Sequence, residues 1–218
     1  ADIGGLLPVV VGAGRNGYDV QMRQQHQGGS LRIATGPGVK QAQIADHLAL
    51  QLAALTLGVA TVPTSVAYSL RSTTFDKLKG IFDLVNPGVV FAQDASFAAA
   101  VKAATAGRDC VVLSPGGVIA GSTDLDALAK PAGPEVERRH AAVRPDTLAK
   151  IMFTSGSTDK SKGVINTHAM LAVNQQQILE VWPFLAHEPP VLLDWLPWSH
   201  TFGGNHNVNM ALAHGGSI

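Results

Sequence analysis

Hydroxyl, glycine and lysine residues are concentrated in residues 153–164, which read Phe-Thr-Ser-Gly-Ser-Thr-Asp-Lys-Ser-Lys-Gly-Val. Polyphosphate oxygens are bound by such groups: backbone N–H groups in glycine turns, side-chain hydroxyls and an ammonium charge. Gly156 would let the backbone approach a ligand closely, and Lys162 would neutralise charge. The composition fits a solvated hairpin loop equally well, because Ser, Thr and Gly are ordinary turn residues. The spacing does not match a Walker A loop.

A second group of reactive and aromatic side chains lies in residues 194–204, which read Asp-Trp-Leu-Pro-Trp-Ser-His-Thr-Phe-Gly-Gly. Aromatic rings beside an imidazole suit a flat aromatic acid, which they can bind by stacking and hydrogen bonding. The alternative is a buried strand whose Trp side chains fill the core and whose His200 bonds to a backbone carbonyl. A third pattern, Gly-x-Gly-x-x-Gly at residues 12–17, lacks the following amphipathic helix and acidic residue of a dinucleotide site, so we interpret it as a chance turn.

Composition narrows the class of protein. The chain has 218 residues, with 16 basic and 16 acidic side chains and a formal charge of +0. This balance argues against nucleic-acid binding, which needs a basic excess. A hydrophobic content of 46% excludes disorder. The lone Cys110 excludes a disulfide framework and a Cys-based zinc site, and no apolar stretch reaches the length of a membrane span. We expect a cytoplasmic protein.

Short apolar runs alternate with helical patterns along the chain, which predicts an α/β fold of mostly parallel sheets with helices on both faces. The predicted strands are residues 59–62, 89–92, 110–113, 148–153, 164–167 and 191–196. The predicted helices are residues 42–57, a second one capped by Thr74 and ending near 85, then 97–104, 123–128, 169–182 and 204–213. We divide the chain into an unmatched segment (1–30), a first subdomain (31–130), an exposed connection (131–147) and a second subdomain (148–218).

Residues 153–164 resemble the phosphate-binding signature of the adenylate-forming enzymes, Tyr/Phe-Thr-Ser-Gly-Ser/Thr-Thr-Gly-x-Pro-Lys-Gly-Val. This superfamily includes acyl-CoA synthetases, luciferases and the adenylation domains of peptide synthetases. Asp159 and Ser161 stand where the signature has glycine and proline. Residues 196–200 resemble the family's Leu-Pro-x-x-His motif, and residues 58–65 resemble a structural segment of the family more weakly. Within the family, residues 164–168, 182–184 and 194–209 are most similar to feruloyl-CoA synthases, and the resemblance covers roughly residues 31–218.

The resemblance implies a ligase that joins a hydroxycinnamic acid such as ferulic acid to coenzyme A, using ATP and Mg²⁺. It implies catalytic roles for Lys162 and His200 and a magnesium contact for Thr158. It places the pyrophosphate end of ATP against Thr154, Ser155, Gly156, Ser157, Thr158, Lys162 and Gly163. It places the acid against Trp198, His200, Phe202, Gly203 and Gly204. The family's later motifs are not in the sequence, so we expect an N-terminal portion of a longer enzyme.

One alternative stays open at this point. An acidic side chain at residue 159 would repel triphosphate by Coulomb interaction. The chain could therefore be a degenerate module that binds nucleotide or a protein partner without catalysis.

Overall fold

The computed structural model describes residues 9–12, 42–128, 131, 133–154 and 162–218. Seven strands in this part of the chain form one sheet with the order β5-β4-β3-β1-β2-β6-β7. The strands are β1 (Val9–Gly12), β2 (Thr61–Pro63), β3 (Val89–Ala92), β4 (Val111–Ser114), β5 (Thr123–Asp124), β6 (Leu148–Thr154) and β7 (Lys162–Thr167). Neighbouring strands are parallel, except that β7 pairs antiparallel with β6.

Helices cover both faces of this sheet, which confirms the predicted fold class. They are α1 (Ala42–Thr56), α2 (Val66–Leu70), α3 (Asp76–Val85), α4 (Ala98–Thr105), α5 (Pro134–Ala142), α6 (His168–Val181) and α7 (Val208–Ala213). A π-helical turn (Phe202–Asn207) leads directly into α7. Among the described residues, no helix has both the length and the apolar character needed to span a bilayer.

The alternation of side chains along each strand divides the core into two layers. On one face, α3 and α4 pack on β2 and β3 through Leu78, Ile81, Phe82 and Val90. On the other face, α1 packs on β3 and β4. Helix α7 then packs on α1, where Leu48 contacts Val208 and Ala211. Helix α6 packs on α7 through Ile178 and Met210.

Three predicted elements are wrong in detail. Residues 191–196 do not form a strand; Val191 makes only an isolated bridge to Ser217. The Asp194 carboxylate accepts the backbone N–H of Leu196 at 2.9 Å, a local bond that favours a turn. Thr74 does not cap α3, because Phe75 takes the N-cap position with φ 57° and donates its N–H to the Ser72 hydroxyl. Residues 123–128 begin as β5 and continue as a single 3₁₀ turn.

Residues 131–147 were predicted to be an exposed connection, and within them lies α5, which has no buried residue. Glu135 forms ion pairs with Arg138 and Arg139 along its surface. The subdomain boundaries proposed from the sequence stay predictions.

Candidate functional site

The β6–β7 hairpin positions the two ends of the predicted phosphate-binding loop. Thr154 and Lys162 are opposite each other at the open end of the ladder, and both are exposed. Ser155, Gly156, Ser157 and Thr158, which the sequence assigns to the pyrophosphate, lie outside the described residues, as do Asp159 and Ser161. The hairpin therefore presents a hydroxyl and an ammonium group side by side where this loop begins and ends.

Gly163 is required by packing across this hairpin. A Cβ atom at residue 163 would lie 2.9 Å from Ile151 Cγ2 and 3.3 Å from Phe153 Cζ. Both of these β6 side chains pack on the apolar core beneath α3 and α4. A larger residue at 163 would displace them, so glycine here keeps the strand pair close.

The five predicted acid-pocket residues come together in one turn between Pro197 and Asn207. The His200 N–H donates to the Pro197 carbonyl at 2.9 Å, and the Gly204 N–H donates to the His200 carbonyl at 2.8 Å. His200 is exposed, and its Nδ1 accepts the Phe202 N–H at 3.3 Å. A neutral His200 ring with this bond carries its proton on Nε2.

Two glycines allow this turn to close. A Cβ atom at Gly204 would lie 2.1 Å from the Trp198 carbonyl oxygen, and one at Gly203 would lie 2.8 Å from the Pro197 carbonyl oxygen. Contacts this short with backbone atoms cannot be relieved by rotating a side chain. We call the Trp198–Gly204 segment the acid-pocket turn. Its backbone can adopt this conformation only because residues 203 and 204 are glycines.

A stack of partly exposed aromatic rings borders the acid-pocket turn. The Phe202 and His206 rings are parallel, with centroids 4.6 Å apart. Trp182, at the end of α6, contacts His206 edge-on with a centroid distance of 6.1 Å. On the buried side, Trp198 contacts the His47 ring of α1 at 5.5 Å. Stacked and edge-on pairs of this kind are favourable and give a surface on which a planar group can lie.

Polar side chains from three elements are buried beneath the acid-pocket turn. Lys150 of β6 donates from Nζ to the Gly204 carbonyl at 2.9 Å. Gln175 of α6 donates to the Asn205 carbonyl at 3.4 Å. Asn205 in turn donates from its side chain to the Asn166 side chain of β7 at 3.1 Å. The hairpin and α6 thus hold two successive residues of the π-helical turn.

Burial dominates the electrostatics of this cluster. Burial lowers the pKa of Lys150 to about 8. Burial, together with the charge of Lys150, lowers the pKa of His47 to about 3. His47 Nε2 is 2.8 Å from the Gln51 amide nitrogen, which can only donate, so the neutral His47 ring carries its proton on Nδ1. Near neutral pH the cluster therefore holds one positive charge beside a neutral imidazole.

Sequence reasoning missed this buried polar set, consisting of His47, Gln51, Lys150, Gln175 and Asn205. One signal was available for Lys150, because it interrupts the apolar run of a strand predicted to be buried on both faces. The other four lie on amphipathic helices or turns where polar residues are ordinary. Among the described residues, no group of three His, Cys, Asp or Glu side chains could hold a metal ion.

The covered parallel sheet with an antiparallel hairpin at β6–β7 is the N-terminal part of the fold of adenylate-forming enzymes. MatB of Rhodopseudomonas palustris, in a structure with ATP bound, is 25% identical and superposes with a TM-score of 0.62, covering 98% of this chain and 35% of that protein. A luciferase-like enzyme of the mealworm Zophobas morio superposes with a TM-score of 0.64 at 16% identity, covering 98% of this chain and 42% of the enzyme.

The chain belongs to the family of AMP-binding enzymes, whose family model matches residues 40–218. A medium-chain-fatty-acid–acyl-carrier-protein ligase of Teredinibacter turnerae is 39% identical over 67 residues, covering 31% of this chain and 10% of that ligase. A CoA ligase of Rhodococcus jostii, named for a methyl-dioxo-octahydroindenyl propanoyl group, is 32% identical over 84 residues. The match covers 38% of this chain and 16% of that ligase. The chain thus spans a small part of these curated relatives.

Proposed function

We propose that this chain is the N-terminal part of an ATP-dependent ligase that joins an aromatic carboxylic acid to coenzyme A. A carboxylate oxygen would attack the α-phosphorus of ATP, the bond to the β-phosphate would break, and pyrophosphate would leave. The coenzyme A thiolate would then attack the carbonyl carbon of the acyl-adenylate, and AMP would leave with the bonding electrons. Both steps place developing charge on phosphate oxygens, which positioned donors can stabilise.

The hairpin carries this proposal. Thr154 and Lys162 are exposed at paired positions of β6 and β7, at the two ends of a loop whose sequence is rich in hydroxyl and glycine residues. Membership of the family of AMP-binding enzymes supports the same assignment.

We assign the roles of individual residues on this basis. Thr154, Lys162 and Gly163, with Ser155, Gly156, Ser157 and Thr158, would bind the pyrophosphate end of ATP, and Lys162 would stabilise charge in the transition state. Mg²⁺ would neutralise phosphate charge when bound near Thr158, and we assign no further step to it. Trp198, His200, Phe202, Gly203 and Gly204 would form the acid pocket, with the exposed His200 positioned to donate from Nε2.

The aromatic character of the acid is supported by the rings that border the acid-pocket turn. Phe202, with about half of its surface exposed, stacks on His206, and Trp182 extends the same surface. A planar hydroxycinnamate could extend this stack, whereas a fatty acyl chain would gain no stacking. We therefore favour an acid such as ferulic acid.

Pyrophosphate release by the complete ligase tests the activity and the substrate class together. With ATP, Mg²⁺ and coenzyme A present, ferulate should release pyrophosphate with a higher kcat/KM than medium- or long-chain fatty acids. Release with fatty acids alone would contradict the assignment of an aromatic acid as substrate but would still support ligase activity. An absence of release with every acid would overturn the ligase itself.

A second candidate function rests on residues 159 and 161, where Asp and Ser replace glycine and proline of the phosphate-binding signature. Such a chain would bind nucleotide or a protein partner without catalysis. Calorimetry with ATP distinguishes the two, comparing the natural chain with Asp159→Gly. Tight ATP binding together with acid-dependent pyrophosphate release by the natural chain favours the working ligase. ATP binding without release, or binding that is gained only in the variant, favours the degenerate module.

A further inference from the structure

Lys150 takes no part in the chemistry proposed above, yet it is among the most deeply buried side chains of the chain. It is 1% exposed and lies in the middle of β6, four residues before Thr154. A buried ammonium group loses its hydration, and only interactions with a partner can offset that cost. In the described part of the chain, no carboxylate lies within ion-pair distance of its Nζ. A charge kept at this cost, away from the surface, is unusual for a residue that only fills space.

The partner of Lys150 is the carbonyl of Gly204, at 2.9 Å. Gly204 is also the residue at which the π-helical turn comes closest to the Trp198 backbone. A Cβ at residue 204 would lie only 2.1 Å from the Trp198 carbonyl oxygen. The ammonium group thus binds the point where the start and the end of the acid-pocket turn meet. A bond from a charged donor is about twice as strong as a neutral one.

The neighbouring bonds to the π-helical turn are weaker and neutral. Gln175 donates to the Asn205 carbonyl at 3.4 Å, and the Asn205 side chain donates to the Asn166 side chain at 3.1 Å. Lys150 is therefore the charged link between β6 and the acid-pocket turn, and β6 ends at Thr154, where the phosphate-binding loop begins.

We propose that Lys150 is a positioning residue that fixes the acid-pocket turn relative to strand β6, so that the bound acid is aligned with ATP. The proposal rests on the proposed ligase function. Lys150 does not touch the acid or the nucleotide; it acts through the Gly204 carbonyl. Its removal should weaken acid binding and leave ATP binding unchanged.

The protonation state of Lys150 should make this positioning role depend on pH. The titratable group that faces Lys150 across the interface with α1 is His47, which stays neutral because its pKa is about 3. With its pKa lowered to about 8 by burial, Lys150 loses its proton as the pH rises through 8. The bond to Gly204 then loses its charge, and the KM for the acid should rise. The free energy of unfolding should increase as the pH rises through 8, because the cost of burying the charge disappears once the amine is neutral.

The test uses the complete ligase and its acid-dependent exchange of pyrophosphate into ATP, which avoids titration of the coenzyme A thiol. Lys150→Met should raise the KM for the acid about tenfold, change the KM for ATP by less than about twofold and leave the melting temperature equal or higher. Lys150→Arg keeps a charge at every pH, so it should remove the rise in KM above pH 8. Lys102→Met, on the exposed surface of α4, is the matched control and should change none of these values.

An unchanged KM for the acid in Lys150→Met, or equal changes in the KM for acid and ATP, would overturn the proposal. Amide hydrogen exchange at residues 203–207 tests the same link without activity: it should speed up about tenfold in Lys150→Met, while residues 98–105 stay unchanged. No change at residues 203–207 would also overturn it. A wild-type ligase that lacks exchange activity would instead contradict the proposed function, and hydrogen exchange would still decide the role of Lys150.

Discussion

The two faces of the sheet are built from different chemistry. Beneath α3 and α4 the buried side chains are mostly apolar, with Ile81 and Phe82 at the centre and Thr64 as a polar exception. Beneath α1, α6 and α7 the core also contains His47, Lys150 and Gln175. An apolar core stabilises the fold without directing any particular group, whereas buried polar side chains must each have a partner. We infer from this difference that the face under α3 and α4 supports the sheet, and that the face under α1, α6 and α7 orients the acid-pocket turn as proposed for Lys150.

Phe82→Ala gives the largest expected effect and tests the supporting face. Phe82 is 1% exposed, so its truncation should lower the free energy of unfolding by about 4 kcal/mol. Denaturant unfolding measures this loss. In the protein that stays folded, the KM for the acid should not change; a large rise in this KM would contradict the division between the two faces.

Gly204→Ala is the corresponding change on the second face. The added methyl group would press on the Trp198 carbonyl and should cost about 3 kcal/mol of stability together with most of the acid affinity. Gly80→Ala is a matched control, since a Cβ at this position of α3 meets no atom within 4 Å. It should raise the stability by about 0.5–1 kcal/mol because alanine favours a helix more than glycine does. Equal effects of the two changes would argue against a sterically defined turn.

Low pH should destabilise the face of the sheet under α1, α6 and α7, through protonation of His47. Its pKa is 6.5 in the unfolded chain and about 3 in the folded protein, so below pH 6.5 only the unfolded state takes up the proton. The free energy of unfolding should therefore fall as the pH falls, by about 2 kcal/mol near pH 5 from this group alone. His47→Gln should reduce the slope of stability against pH between 6.5 and 5. Identical slopes in the two proteins would show that His47 is not buried in its neutral form.

The smallest expected effect concerns the exposed edge of the second face. Phe202→Ala removes one ring of the stack with His206 and should raise the KM for ferulate about fivefold, with no change in the KM for ATP. Phe184→Ala is a suitable control, since this ring is also about half exposed but lies in the 3₁₀ turn after α6. The same KM in both variants would remove the support for an aromatic acid.

The sequence predicted the fold class because apolar strands and helical periodicity repeat along the chain. It placed β6, β7 and α6 close to their observed bounds, whereas the helix predicted at residues 204–213 is π-helical up to Asn207 and α-helical only from Val208. It failed at residues 191–196, where alternating apolar residues resemble a strand but the Asp194 carboxylate stabilises a turn. Periodicity does not register such a local side-chain bond.

For the candidate site, motif spacing identified the residues that face outward but not those that support them. Thr154, Lys162 and His200 belong to recognisable patterns. The bond of Lys150 to Gly204 joins residues that are 54 positions apart, and the contact of His47 with Trp198 spans a still longer separation. Such pairings depend on how helices pack on the sheet, which a single sequence does not specify.

The proposed ligase depends on the binding of ATP phosphate groups by the β6–β7 hairpin through Lys162. Calorimetric titration of ATP into the complete protein tests it most directly, with Lys162→Ala compared against Lys102→Ala. We expect Lys162→Ala to weaken ATP binding about thirtyfold, the loss of one charged hydrogen bond, while Lys102→Ala binds as the natural protein does. Equal ATP affinity in Lys162→Ala and the natural protein would show that Lys162 does not bind the phosphate groups.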